Sequence, residues 1–180
     1  MSIDEYSIEE HQHRYSAWAA SRAASVKNCR FSVAQGKQII EASGLSSLQS
    51  PNDLPTVGSI DLEHREWRNL MISAAAERGF IFTHGIAAKL INVYLKTRFV
   101  CGGHHENPRV TQLHPPIDAL LLRELAAGDA GGFKSGWNKA ISVRWSKFNA
   151  SEYEEVIDLI RRTLAGRPLW LIESYWRGFQ

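Results

Sequence analysis

Apolar side chains recur along this chain mostly at three- and four-residue steps, the spacing of helices that each bury one face. From about residue 5 to 25 the stretch is rich in Ala, Glu and Arg, and the period sets Ile8, Tyr15, Trp18 and Ala19 close to one face. A short second helix follows Ser32 as N-cap, carries Ile39 and Ile40, and ends at Gly44. Residues 45–60 hold Ser, Pro, Asn, Asp and Gly in quantity and read as a long loop or surface arm. Asp61 then caps a helix bearing Leu62, Trp67, Leu70, Met71 and Ala74, which stops at Gly79. From about Gly85 a strongly apolar helix runs through Leu90, Ile91, Val93, Tyr94 and Leu95 toward Val100, and Gly102-Gly103 ends it.

Beyond a polar, proline-bearing stretch from Thr111 to Pro116, Ile117 to Leu125 forms a compact apolar helix. Residues 128–136 are a glycine-rich loop. Ala140 to Phe148 alternates apolar and polar positions, the period of a short strand. Ser151 with Glu154 predicts a capping box for a helix carrying Tyr153, Val156, Ile157, Ile160 and Leu164, ended by Gly166. Pro168 opens a last helix with Leu169, Trp170, Ile172 and Trp176. The pattern therefore predicts an all-α fold: one compact domain over residues 1–180, about seven helices, with at most one short strand pair.

Composition adds little until it is read locally. The chain has 180 residues, 44% of them hydrophobic, enough for one core. The formal charge of +2 does not announce a nucleic-acid partner. Residues 85–147, however, hold 9 basic against 4 acidic side chains, a local +5 that favours an anionic partner there. Met1 to Tyr6 lacks the basic and apolar regions of a secretory leader, and no apolar run is long enough for a membrane span. With Cys29 and Cys101 the only cysteines, a reducing, cytoplasmic setting is expected.

Two helix starts carry the candidate chemistry. Lys89 follows the glycine of Gly85-Ile86-Ala87-Ala88, and Asp118 follows Pro115-Pro116-Ile117, 29 residues after the lysine. If these starts face one another, an amine and a carboxylate share one cleft. A lysine near a helix N-terminus and buried is shifted toward its neutral, nucleophilic form. A carboxylate at its own helix start stays ionised and stabilises positive charge developing on a sugar.

The stretch Gly85-Ile86-Ala87-Ala88-Lys89 resembles the hairpin of the helix-hairpin-helix DNA glycosylases, and Pro116-Ile117-Asp118 is similar to their Pro-x-Asp element. The likeness covers roughly residues 68–125, and its spacing is nearest the 8-oxoguanine-type branch. It implies a base-excision glycosylase with lyase activity, Lys89 acting as Schiff-base nucleophile and Asp118 as its electrostatic partner. It further implies phosphate contacts from the hairpin around Gly85 and Ala87, joined by His114 and Lys134, with DNA as the partner. A base taken out of the duplex needs an aromatic pocket, for which Phe133, Trp137 and Trp145 are the candidates. Ala87 stands where the family pattern has a second glycine, and Thr83-His84 where it has Leu-Pro. No four-cysteine cluster follows, so the iron–sulfur version is excluded.

Other constellations point elsewhere. Cys101, His104, His105 and His114 gather around the loop between the two candidate helices and supply ligand types suited to zinc, though adjacent histidines rarely hold one ion. Neither a phosphate-binding loop nor a dinucleotide fingerprint is present, so no nucleotide cofactor is expected, nor any other. Lys96, Arg98, Arg161 and Arg162 read as solvated faces. The competing reading is a non-enzymatic helical domain that binds nucleic acid or protein.

Overall fold

The computed structural model describes residues 6–178 and is all-α. Residue 5, the expected first-helix start, and Met1 to Glu5 of the stretch read for a leader lie outside the described residues. Among the described residues there are seven α-helices: α1 (Ile8–Ala24), α2 (Val33–Ala42), α3 (Ile60–Ala76), α4 (His84–Leu95), α5 (Ala119–Ala127), α6 (Lys134–Val143) and α7 (Ala150–Leu164). Among the described residues there is no strand beyond one isolated bridge between Val26 and Cys29. None of these helices is long and apolar enough to cross a membrane.

The centre of the molecule is α4. Ten of its residues are buried, from Gly85 through Asn92 and then Tyr94 and Leu95, because the helix is apolar all round. Its Ile86, Ala87, Leu90, Ile91, Tyr94 and Leu95 belong to one core cluster built with α1, α2 and α3. Ala88 belongs to a second cluster, formed with α5, α6, α7 and the 3-10 turn Leu169–Tyr175. Lys89 follows Ala88 and so stands where the two packed groups meet. Beyond Leu95 the helix widens into a π-helical stretch, Lys96–His104, that breaks at Gly103 with φ 92°.

Helix starts follow the sequence signals in part. Ser32 and Gln35 form a capping box on α2, and Asp118 accepts the Leu121 N–H at the head of α5. The capping box of α7 is Asn149 with Glu152, two residues before the expected pair, because Glu154 is engaged by Arg65 and Arg68. The N-cap of α3 is Ser59, and Asp61 lies in the first turn, where it meets His114 and Arg161.

Several expectations about faces are corrected. In α1 the buried face is His13, Ser16, Ala17, Ala20, Ser21 and Ala24, while Ile8, Tyr15 and Trp18 are exposed. Small side chains let α1 lie close against its neighbours: a Cβ on Gly36 of α2 would sit 2.1 Å from Ser21 Oγ. The displaced aromatics Tyr15 and Trp18 stack on one another at the surface. In α3, Leu62 and Leu70 are likewise exposed, and Trp67, Met71, Ala74 and Ala75 are buried. Residues 140–148 form the end of α6 and the 3-10 turn Trp145–Lys147 instead of a strand. Here Trp137 and Ala140 are buried at helical spacing, and Arg144 reverses the chain with φ 74°. The last helix is this same tighter type, Leu169–Tyr175. The 45–60 loop contains two 3-10 turns, buries Leu45 and Leu54, and is tied down by Arg109 to the carbonyls of Asn52 and Leu54.

Gly85 is where sequence dictates a close approach. Its N–H donates to the Phe148 carbonyl, and a Cβ built on it would lie 1.8 Å from the Trp145 carbonyl oxygen. Thr83 Oγ1 donates to the Ser146 carbonyl, so segment 145–148 rests on the first turn of α4. Gly85→Ala is expected to destabilise the fold by about 1–3 kcal/mol through this backbone clash, read as a lower urea midpoint. An unchanged midpoint would contradict the seating of 145–148 on α4.

Candidate functional site

Lys89 and Asp118 are together. Lys89 Nζ donates to Asp118 Oδ2 over 3.1 Å, bridging α4 and the head of α5. The lysine side chain is 7% exposed and the aspartate 24%, so the carboxylate is the more open member of the pair. The Trp176 indole N–H donates to the same Oδ2 at 3.1 Å, while Oδ1 accepts from Leu121 N–H at 2.8 Å. Lys89 Nζ also lies 5.7 Å from the centroid of the Trp145 ring.

Lys89, Asp118 and Trp176 line a cleft of about 380 Å³, a size suited to a small organic group. Its walls come from Ala23, Val93, Thr97 and Pro116, with Lys96 and Glu173 paired across one side. Lys96 additionally stands 5.9 Å from the Trp176 ring centroid. The electrostatics follow from burial. Desolvation is the largest influence on Lys89 and pushes its ammonium below the ordinary lysine range, with Asp118 acting in opposition. Burial alone raises the Asp118 carboxyl, but Lys89, the Leu121 N–H and Trp176 together hold it below its usual range. Burial raises the Glu173 carboxyl against the pull of Lys96. Lys89 is the sixth residue of α4, past the first turn, so the helix dipole expected to act on it is weak there.

The remaining predicted residues divide sharply. Trp145 lies beside the lysine amine but is not among the residues that line this cleft. Gly85 and Ala87 are buried inside α4, and their N–H groups donate to Phe148 and Thr83 carbonyls, so they are closed to a phosphate. His114 is sealed in the interior, which corrects its expected phosphate contact. Trp137 is fully buried with its indole N–H on the Ala130 carbonyl, and so offers no open stacking face. Phe133 is half-buried beneath the Arg162 guanidinium at 4.2 Å, and Lys134 is exposed at the start of α6; neither lines the cleft. Cys101, His104 and His105 are exposed, apart from His114, and no group of three or more metal-ligating side chains assembles among the described residues.

Sequence reasoning missed Trp176, Lys96 and Glu173. Val93 and Lys96 fall four and seven residues after Lys89, on one helical face, which is a readable signal. Trp176 carried no local signal, being 58 residues from Asp118. Arg98, read as solvated, is buried with its guanidinium on Tyr94 Oη.

Behind the pair runs a buried polar chain. Asn92, one turn beyond Lys89, donates to the Pro115 carbonyl and to Tyr153 Oη, and its Oδ1 accepts from His64 Nε2. Tyr153 in turn donates to His114 Nδ1, and His114 Nε2 donates to Asp61, which Arg161 also holds. Every donor finds an acceptor along this path only if both imidazoles are neutral. Asn92 thus ties α4 to the Pro115–Ile117 segment that delivers Asp118.

The two rings lie 4.3 Å apart, centroid to centroid. Burial is the main cause that holds each below the ordinary histidine range; His114 repels charge on His64, and Asp61 only partly offsets the effect on His114. Below about pH 6.5 the unfolded chain therefore binds more protons than the folded one. The stabilisation is complete above that pH and is lost as the pH falls, by up to about 1.4 kcal/mol per pH unit for each ring. Urea unfolding followed from about pH 7.5 to about pH 5 is expected to show this decline; a flat profile would contradict neutral, sealed imidazoles. No family model, curated protein or solved structure matches this chain.

Proposed function

We propose that the chain processes DNA at a single nucleotide, as a base-excision glycosylase with lyase activity that works through a Schiff base on Lys89. The observation that carries this reading is the 3.1 Å contact between a nearly sealed lysine and a carboxylate at the edge of a cleft. The local +5 charge of residues 85–147 supports an anionic partner.

The chemistry asks little of these groups beyond what their positions offer. Asp118 takes a proton from the Lys89 ammonium, whose affinity for it burial has already lowered. The freed amine attacks C1′ of the deoxyribose, and the C1′–N bond to the base breaks with its electron pair leaving on the base. Opening of the C1′–O4′ bond, with O4′ taking a proton, gives the imine. Loss of a proton at C2′ then expels the 3′ phosphate by elimination. Asp118 passes that proton to the departing base and, a carboxylate again, stabilises the positive charge that gathers at C1′ between these steps. Trp176, which lines the cleft and donates to Asp118, supplies aromatic surface beside the reacting sugar.

A second reading rests on a specific observation: both oxygens of Asp118 already accept hydrogen bonds from the protein, the pattern of a clamp that fixes α5 to α4. In that case the domain binds without reacting. Borohydride reduction in the presence of DNA containing abasic or oxidised-base sites separates the two. The enzymatic reading predicts a covalent adduct in the native chain, none in Lys89→Gln, and DNA affinity within about threefold of native in that variant. An adduct that persists in Lys89→Gln removes this lysine from the reaction, and no adduct in the native chain leaves only the binding domain.

A further inference from the structure

A second cavity, of about 290 Å³, opens between α5, α6 and the turn Trp145–Lys147. Leu122 and Ile141 give it apolar lining, Trp145 an aromatic side chain, and Arg123 and Arg144 two cationic ones. Both arginines are exposed, and among the described residues neither guanidinium has an acidic or hydrogen-bonding partner. Two planar guanidinium forks that no protein group occupies, beside an aromatic side chain, match a phosphate with an attached ring system.

Backbone geometry marks the same place. Arg144 has φ 74° and ψ 123°, a conformation that side-chain-bearing residues rarely adopt and that glycine takes without strain. A guanidinium is thus carried at a position where the backbone favours no side chain. Its placement is fixed to the Lys89 cleft from both directions. Arg123 stands on α5, the helix that Asp118 heads, and Arg144 adjoins the segment that Thr83 and Gly85 bind to α4. Trp145 is shared, facing the Lys89 amine and lining this cavity.

We propose that the Arg123–Arg144–Trp145 cavity is a nucleic-acid strand site, holding the phosphodiester next to the nucleotide in the Lys89 cleft, with the adjoining base against Trp145. The proposal rests on the reading of that cleft as a DNA site and names how the strand is held there. The closed N–H groups of Gly85 and Ala87 leave phosphate binding to side chains, and these two guanidinia supply it.

The test uses the whole chain with Arg123→Gln and Arg144→Gly, titrated against labelled single-stranded and duplex oligonucleotides over a range of salt. Each variant is expected to lose about tenfold in affinity at low salt, and the slope of log affinity against log salt to shrink by about one. Arg144→Gly is also expected to raise the thermal midpoint, since it relieves the backbone while removing the charge. This separates lost binding from lost folding. Affinity and slope unchanged in both variants would overturn the proposal, as would a mononucleotide that competes as well as an oligonucleotide, which would assign the cavity to a free nucleotide. Arginine-dependent strand binding without any borohydride adduct keeps the site and refutes the Schiff-base chemistry. An adduct with arginine-independent binding does the reverse. No binding to any oligonucleotide overturns both.

Discussion

Removing an ammonium group from water costs several kcal/mol unless a counter-charge stands within hydrogen-bond reach. That constraint acts on Lys89, which projects from the most deeply buried helix of the molecule, and Asp118 answers it. The carboxylate in turn accepts the Leu121 N–H at the head of α5, so one side chain ends a helix and neutralises a buried charge. The pair is held under tension of opposite influences: burial draws the lysine toward neutrality, and the aspartate draws it back toward charge. A group poised in this way gives up its proton more readily than a solvated lysine does.

The rest of the architecture serves that meeting. Small residues on α1 and Gly36 on α2 allow close packing on one side of α4, and Gly85 allows segment 145–148 to settle on the other. Asn92 links α4 to the Pro115 carbonyl, which sets the reach from Lys89 to Asp118. Its remaining bonds pass through His64, Tyr153 and His114 to Asp61 and Arg161, connecting α3, α4 and α7 across the interior. Such a network confers geometry when every member is satisfied, and it makes the core sensitive to protonation.

How much of this was legible depends on how local each signal is. The helical period, the Ser32 cap and the place of Asp118 at a helix start are written in neighbouring residues, and so is the coincidence of a lysine and an aspartate at two apolar helices. The inward face of α1 escapes a hydrophobic count because it is made largely of Ala and Ser, while the large side chains Tyr15 and Trp18 that dominate such a count lie outside. Gly85 resembles a hairpin glycine in its local sequence, although its need is for space beneath the Trp145 carbonyl, a contact 60 residues away that no local pattern announces. His114 and Trp137 are polar and aromatic groups whose partners are equally remote, so burial took them from the site. Trp176 entered it by the same kind of long-range packing.

The central claim is that Lys89 carries a weakened proton because burial outweighs the opposing pull of Asp118, the carboxylate it touches. Heteronuclear NMR of isotopically labelled lysine side chains, followed through alkaline titration and assigned with Lys89→Gln, measures this directly. The account predicts one lysine titrating below the ordinary range, and lower still in Asp118→Asn, where the opposing carboxylate is gone. A Lys89 that titrates with the surface lysines, or that is unmoved by Asp118→Asn, would contradict it.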